Sequence, residues 1–339
     1  STDKLSSIAK KLCEKPKGIL AADESTNTIK KRFDSINVES NFEKRRDYRD
    51  LLFKTPNLNK FISGVILYDE TIRQEDSNKL PLAKYLADND IMPGIKVDIG
   101  AIPLENNSSE KLTEGLDGLG KRLEEYKVLG AGFTKWRAII TIDNEKNLPS
   151  NYCIESNSFN LARYAKIVQD CGLVPIVEPE VIMDGNHSID DCYKVTCKTL
   201  KSVFSQLELH KVFLGGILLK PNMVISGTLN QNQATVDTVA DLTLECLNNC
   251  VPKDVPGIVF LSGGQSNKLA TEHLNAMNKK ANNLPWNLSF SYGRALQQPS
   301  LNKWLGKVDN VKAAQEALFQ RSKFNSEATQ GNYNSENEI

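Results

Sequence analysis

The stretch Leu173-Val-Pro-Ile-Val-Glu-Pro-Glu180 decides the reading of the fold. Its first five residues are apolar at every position, as in a strand covered on both faces within a parallel sheet. It then stops on two carboxylates, Glu178 and Glu180. Comparable apolar runs lie at 18–22, 61–68, 94–97, 134–140, 212–219, 257–261 and 288–291, which makes eight with 173–177. Helical periodicity fills the intervals. Leu112, Leu116, Leu119, Leu123 and Tyr126 follow in steps of four and three, with Ser108 or Ser109 as the expected cap. Leu161, Tyr164, Val168 and Cys171 form another face, closed by Gly172. Segments 188–209 and 235–247 read alike, and a last helix is expected from Ser300 through Trp304, Val308, Val311, Leu318 and Phe319.

Eight strands alternating with helices predict an α/β fold, a single (β/α)8 TIM barrel over 1–324. A doubly wound dinucleotide-binding sheet is the other possibility, but no Gly-x-Gly-x-x-Gly follows the first strand. No Gly-, Ser- or Pro-rich linker divides the chain. The segment 325–339 is rich in Asn, Ser, Glu and Gly, and is expected to be a flexible polar tail.

The 339 residues carry 42 Lys and Arg against 42 Asp and Glu, which argues against a dedicated nucleic-acid binder. No apolar run approaches the ~20 residues a membrane helix needs, so no membrane insertion is expected. The polar, lysine-rich start carries no secretory pattern. Seven cysteines without a Cys-x-x-Cys pair read as free thiols of a cytoplasmic protein.

In barrel enzymes the chemistry gathers at the C-terminal ends of the strands. The charged residues fall there: Asp23 and Glu24 after the first run, Lys96 and Asp98 at the third, and Lys135 and Arg137 in the fourth. Glu178 and Glu180 end the fifth, and Lys220 follows the sixth. Side chains two apart on a strand share a face, so three same-face charged pairs are expected in the barrel mouth. Ser262, Gly263 and Gly264 follow the seventh run, and Ser291, Gly293 and Arg294 belong to the eighth. Glycines let backbone N–H groups approach an anion, and arginine offers paired donors, so a phosphate site is expected there.

Lys220 follows an apolar run, with another lysine, Lys135, expected nearby. Such surroundings disfavour the charged amine, and a neutral lysine can attack a carbonyl to form a Schiff base. Neighbouring Glu178, Glu180 and Asp23 can move protons. The three histidines, His187, His210 and His273, stand at no strand end in ligand spacing and read as surface or loop residues; no metal and no cofactor is expected.

The ordered set Gly18-Ile-Leu-Ala-Ala-Asp-Glu-Ser-Thr26, Gly94-Ile-Lys-Val-Asp98, Gly115-Leu-Asp-Gly118, Lys135-Trp-Arg137 and Val177-Glu-Pro-Glu180 continues with three more motifs. They are Leu218-Leu-Lys-Pro-Asn-Met-Val224, Leu261-Ser-Gly-Gly-Gln265 and Phe290-Ser-Tyr-Gly-Arg-Ala295. Together they resemble the class I fructose-1,6-bisphosphate aldolases over about residues 4–331. The resemblance implies a metal-independent lyase that splits fructose 1,6-bisphosphate into dihydroxyacetone phosphate and glyceraldehyde 3-phosphate. It implies Lys220 as the Schiff-base lysine and Glu178 as the acid/base of imine formation. Glu180 and Lys135 would tune Lys220, and Asp23 would take the C4 hydroxyl proton. Lys96 and Arg137 would contact substrate. Ser262, Gly263, Ser291, Gly293 and Arg294 would hold one phosphate, and Ser25, Thr28 and Arg32 would face the other.

A transaldolase-like transferase is the alternative within Schiff-base barrels, but it needs no second phosphate site. The resemblance further implies a homotetramer and a capacity to contact filamentous actin, for which Lys30, Lys31, Arg32 and Arg137 supply charge. The sequence departs from the family at Gly215, Asn27-Thr28 and Ile99, where Glu, Gly-Ser and Lys are usual. It also ends at Ile339, short of the family's closing tyrosine; slower turnover than that of a form carrying such a tail is expected.

Overall fold

The computed structural model describes residues 1–338. Eight parallel strands close a barrel: β1 (Gly18–Ala22), β2 (Ile62–Leu67), β3 (Met92–Lys96), β6 (Phe133–Ile140), β7 (Val174–Val181), β8 (Leu218–Leu219), β9 (Gly257–Phe260) and β10 (Asn287–Tyr292). The two remaining strands, β4 (Ala101–Pro103) and β5 (Lys111–Thr113), form an antiparallel hairpin outside it. The expected barrel is the observed one, and helices fill the connections between its strands.

Alternation along each strand separates two cores. Inward positions Ile19, Ala21, Ile66, Phe133, Val174, Ile176, Leu218 and Val259 fill the lower barrel. The helix Thr2–Leu12 plugs its bottom with Leu5, Ala9 and Leu12. Outward positions such as Leu20, Val65, Trp136, Val177, Leu219 and Phe260 pack against the surrounding helices. Burial on both faces explains why these runs read as continuously apolar. Phe133 takes the space that side chains at Gly64 and Gly94 would occupy: an added Cβ there would come within 2.9 and 2.4 Å of its ring.

Three local expectations about these elements are corrected. The run 212–219 yields only the two-residue strand β8, after a 3₁₀ turn over Leu214–Gly216. The Gln169 amide bonds Phe213 N and O instead, and Gly216 lies against Leu5, where a Cβ would come within 2.8 Å. The helix expected from Ser108 or Ser109 starts only at Leu119. Leu112 belongs to β5, and Gly115 and Gly118 adopt φ of +138° and +69°, which helical residues cannot do. The last helix is two, Arg294–Trp304 and Val311–Ala328, separated at Leu305 and Gly306, both left-handed.

The polar segment from 325 onward does not begin as a loose tail. The helix runs to Ala328, and Asn325, Ala328 and Thr329 are fully buried. Asn325 accepts a hydrogen bond from Thr271, and Tyr333 packs its ring on Phe324. Polar side chains were buried here because each found a partner. The last residue of the expected tail, Ile339, lies outside the described residues.

Candidate functional site

Above the apolar layers the inward positions become charged. Ala21 leads to Asp23, Gly94 to Lys96, Phe133 to Lys135 and Arg137, Ile176 to Glu178 and Glu180, and Leu218 to Lys220. These side chains line one cavity of about 900 Å³ at the C-terminal end of the barrel. Cross-strand register sets their heights: Lys96 pairs with Lys135, and Arg137 with Glu178.

Lys220 is held by its own backbone, whose N–H donates to Val177 O at 2.8 Å. The strand stops there because Pro221 has no N–H to offer, and Asn222 continues the connection by accepting from Val181 N at 3.0 Å. The amine is 4% exposed at the residue level and meets Glu178 Oε1 at 3.6 Å. The same oxygen lies 3.6 Å from Lys135 Nζ, which also donates to Asp23 Oδ2 at 2.8 Å. Beyond this group Arg137 Nε donates to Glu180 Oε1 at 2.7 Å, and Lys96 bonds Asp98. Asp98 also accepts from Arg137 N at 3.0 Å.

The two buried lysines are driven apart. Burial lowers Lys220 below the usual amine range, and the Lys135 charge adds to this, against the pull of Glu178, Asp23 and Glu180. Burial also opposes the charge on Lys135, but Asp23, then Glu178 and Asp98, outweigh it and raise that amine. For Asp23 burial is likewise overcome, by Lys135 ahead of Lys220, and its carboxyl falls to about 2. Two amines of similar burial are thus pushed in opposite directions, Lys220 toward its neutral form and Lys135 toward its charged one.

The other wall carries polar groups without charged partners. Ser291 Oγ is buried without a hydrogen-bond partner. Arg294 binds only neutral oxygens, Asn267 Oδ1 at 3.0 Å, Ser262 O at 3.4 Å and Gln265 O, and no carboxylate pairs with it among the described residues. Burial, then the nearby Arg32 charge, lowers its guanidinium. Gly293 precedes the helix Arg294–Trp304 without a side-chain cap, and both Gly293 and Arg294 line the cavity; the first N–H groups of a helix have no partner within it. On the facing rim Ser25 caps the helix Thr26–Asp34, accepting from Thr28 N at 3.3 Å, and its hydroxyl bonds Thr28 Oγ1 at 3.2 Å.

Of the sixteen residues expected at the site, fifteen line the cavity. Gly264 does not; it turns the chain at φ +77°, with Met183 where a side chain would go. Arg32 is not free for an anion alone, since Nη1 meets Glu24 Oε2 at 2.6 Å. Nor do the cations divide cleanly into two groups, because Arg32 stands near enough to Arg294 to shift it. Across the mouth six carboxylates, Asp23, Glu24, Asp69, Asp98, Glu178 and Glu180, face seven lysines and arginines. Of the basic residues considered for an acidic filament, Lys30 pairs with Asp34, Arg32 with Glu24 and Arg137 with Glu180. Only Lys31 of that set has no carboxylate partner among the described residues.

Sequence reasoning missed Gln297, whose amide donates to Ala21 O at 2.7 Å and Glu24 Oε2 at 2.8 Å and so fixes the Asp23–Glu24 turn. A glutamine inside a helix gives no sign of this in sequence. It also missed Arg122, which donates to Val97 O at 3.0 Å and Gly115 O at 2.6 Å beneath Asp98. Two histidines are buried, not superficial: His273 bonds Gln265 at 2.6 Å, and His187 lies under the 185–187 turn with no partner for either nitrogen.

The fold and the mouth together define a (β/α)8 barrel enzyme with a buried lysine beside a buried carboxylate. The comparisons carry this to a family. The family model for class-I fructose-bisphosphate aldolase matches residues 4–339. A probable class 1 fructose-bisphosphate aldolase of Xanthomonas campestris is 52% identical over 334 residues, 98% of this chain and 99% of that protein. The fructose-bisphosphate aldolase of Plasmodium falciparum is 50% identical over 331 residues, 98% of this chain and 89% of that protein. A solved structure of the Plasmodium falciparum enzyme, in complex with TRAP and a small-molecule inhibitor, superposes with a TM-score of 0.96 at 49% identity. It covers 98% of this chain and 96% of that one. The chain belongs to the class I fructose-bisphosphate aldolase family. It is a lyase that cleaves fructose 1,6-bisphosphate reversibly into dihydroxyacetone phosphate and glyceraldehyde 3-phosphate through a lysine Schiff base. Among the described residues no helix is long and apolar enough to cross a membrane.

Proposed function

We propose that Lys220 is the Schiff-base lysine, with Glu178 as its acid/base partner. One observation carries this assignment: Glu178 Oε1 stands 3.6 Å from two lysines, of which only Lys135 is further tied to a carboxylate. Lys220 is the amine that reaches its neutral form more readily. Its lone pair attacks C2 of the open-chain sugar. Glu178 delivers a proton to the departing C2 oxygen, which leaves as water, and an iminium remains on Lys220.

Asp23 then receives the proton of the C4 hydroxyl. The C3–C4 bonding pair moves toward the iminium nitrogen, the aldehyde departs, and an enamine stays on the lysine. Protonation at C3 and addition of water release the ketone and the amine. Lys135 stays charged throughout, and stabilises the Asp23 and Glu178 carboxylates as they exchange protons. Glu180 fixes Arg137, and Lys96 is fixed by Asp98, so both cations are directed at the substrate side of the mouth. Ser262, Gly263, Ser291, Gly293 and Arg294 receive one phosphate; Ser25 and Thr28, with Arg32, receive the other end of the sugar.

Borohydride reduction in the presence of fructose 1,6-bisphosphate tests the assignment. A reduced adduct on the peptide containing Lys220 is expected, and an adduct on Lys135 instead would overturn it. The implied homotetramer is checked by sedimentation equilibrium, where a monomer would count against it.

A further inference from the structure

Three cysteines outside the barrel mouth converge. Cys197 lies on the helix Ile189–Leu209, and Cys246 and Cys250 lie one turn apart on the neighbouring helix Val236–Cys250. Their sulfurs all lie within 4.8 Å of one another, and Cys197 Sγ is 3.0 Å from Cys246 Sγ. All three are buried free thiols. No fourth cysteine, histidine or carboxylate joins the group among the described residues.

We propose that Cys197, Cys246 and Cys250 form a three-thiolate site for a soft d10 cation of the zinc class. Nothing in the aldolase reaction uses these residues, and the proposal stands apart from the role of Lys220. Zinc binds thiolate at about 2.3 Å, which places neighbouring sulfurs about 3.8–4.0 Å apart. One separation is 3.0 Å and none exceeds 4.8 Å, so the sulfurs need move by no more than about 1 Å to reach that spacing. Soft thiolates select soft cations over magnesium or calcium, which want oxygen.

Access and charge fit the same ligand. A groove of about 580 Å³, lined by Cys250, Lys201, Glu208 and Phe204, opens beside the cluster and supplies an entry path. It also leaves room for a water or an outside ligand as the fourth donor. Three thiolates with a divalent ion leave one negative charge, and Lys201 stands near enough to Cys250 to influence it.

The test uses the whole chain, reduced and stripped by chelator, titrated anaerobically with Cd²⁺ and then Zn²⁺. A saturable thiolate-to-cadmium charge-transfer band ending at one ion per chain is expected, bleached only by a large excess of zinc because soft thiolates hold the softer cadmium more tightly. Cys246→Ser, with cleavage activity as the check on folding, should weaken cadmium binding by more than the roughly 10-fold that even an outer-shell change costs. In the unaltered chain, zinc should slow maleimide labelling of Cys197, Cys246 and Cys250 and leave the half-buried Cys171 unaffected. No saturable band, a band unchanged in Cys246→Ser, or labelling indifferent to zinc would each overturn the proposal. So would air oxidation that joins Cys197 to Cys246 in a chain that binds no cadmium when reduced, which would make the cluster a redox pair.

Discussion

The two ends of the barrel interior are made by the same strands and behave as opposites. The floor is apolar, closed by Leu5, Ala9 and Leu12 of the first helix and filled by Phe133, Ile176 and Leu218. One or two inward positions further along, the mouth holds Asp23, Lys135, Glu178 and Lys220, all of them buried. A barrel that held such charges along its whole length would pay heavy desolvation. The floor removes water from one side of the mouth, and the charges then act on one another at short range. Burial above this floor disfavours both lysine charges, and the carboxylates, Asp23 first, then keep Lys135 charged while Lys220 is pushed toward neutrality.

Substitutions at the two ends should therefore fail in different ways. The largest effect is expected at the mouth. Lys220→Ala should lose roughly 10⁴-fold or more in kcat, the scale for removal of a covalent nucleophile, while its chemical denaturation midpoint stays the same or rises. Steady-state cleavage beside a urea titration reads both; a large loss of stability with residual turnover would break the contrast.

Phe133→Ala tests the floor. Removing a fully buried ring that packs against Gly64 and Gly94 should cost about 3–5 kcal/mol of stability. Turnover of the molecules that remain folded should change little at low temperature. A collapse of kcat with stability intact would mean that the floor positions the lysines directly.

Glu178→Gln sharpens the comparison within the mouth. A loss of about 10²–10⁴-fold in kcat is expected for removal of a general acid/base. Its negative charge opposes the lowering of Lys220, so its loss should lower that amine further. The pH limb of imine formation, which requires neutral amine, should then move to lower pH. A movement to higher pH would remove Glu178 as the partner of Lys220.

The smallest effect is expected at Ser291. Its hydroxyl is buried and unpartnered, so Ser291→Ala should leave stability unchanged or slightly improved. The KM for fructose 1,6-bisphosphate should rise about 10-fold, the worth of one hydrogen bond to a charged group. A loss of stability with KM unchanged would make Ser291 a structural residue.

Much of this was legible in the chain. Strand runs such as 18–22 and 257–261 stand nearly where they were expected, because strands covered on both faces leave continuous apolar stretches. The spacing of Lys135 with Arg137, and of Glu178 with Glu180, announced a shared face that the period of a strand guarantees. Other elements were hidden. Leu112 kept helical spacing and still became a strand, because left-handed glycines at 115 and 118 prevented the helix from starting earlier. Asn325 looked fit only for solvent, and is buried because Thr271 reaches it from another helix while its own amide donates to Arg321 O one turn earlier.

The sequence by itself determined the barrel, the level at which charge replaces apolar side chains, and the residue types that meet there. Periodicity is local, and a strand carries its two faces wherever it is placed. The tertiary structure decided which lysine is free. Glu178 touches Lys135 and Lys220 at the same distance, and the choice between them comes from Asp23, 112 positions before Lys135 in the chain. It also decided that Arg32 spends its charge on Glu24 and that Gly264 turns away from the cavity. Desolvation and ion pairing depend on what surrounds a group from every side, and that is fixed only when the barrel closes.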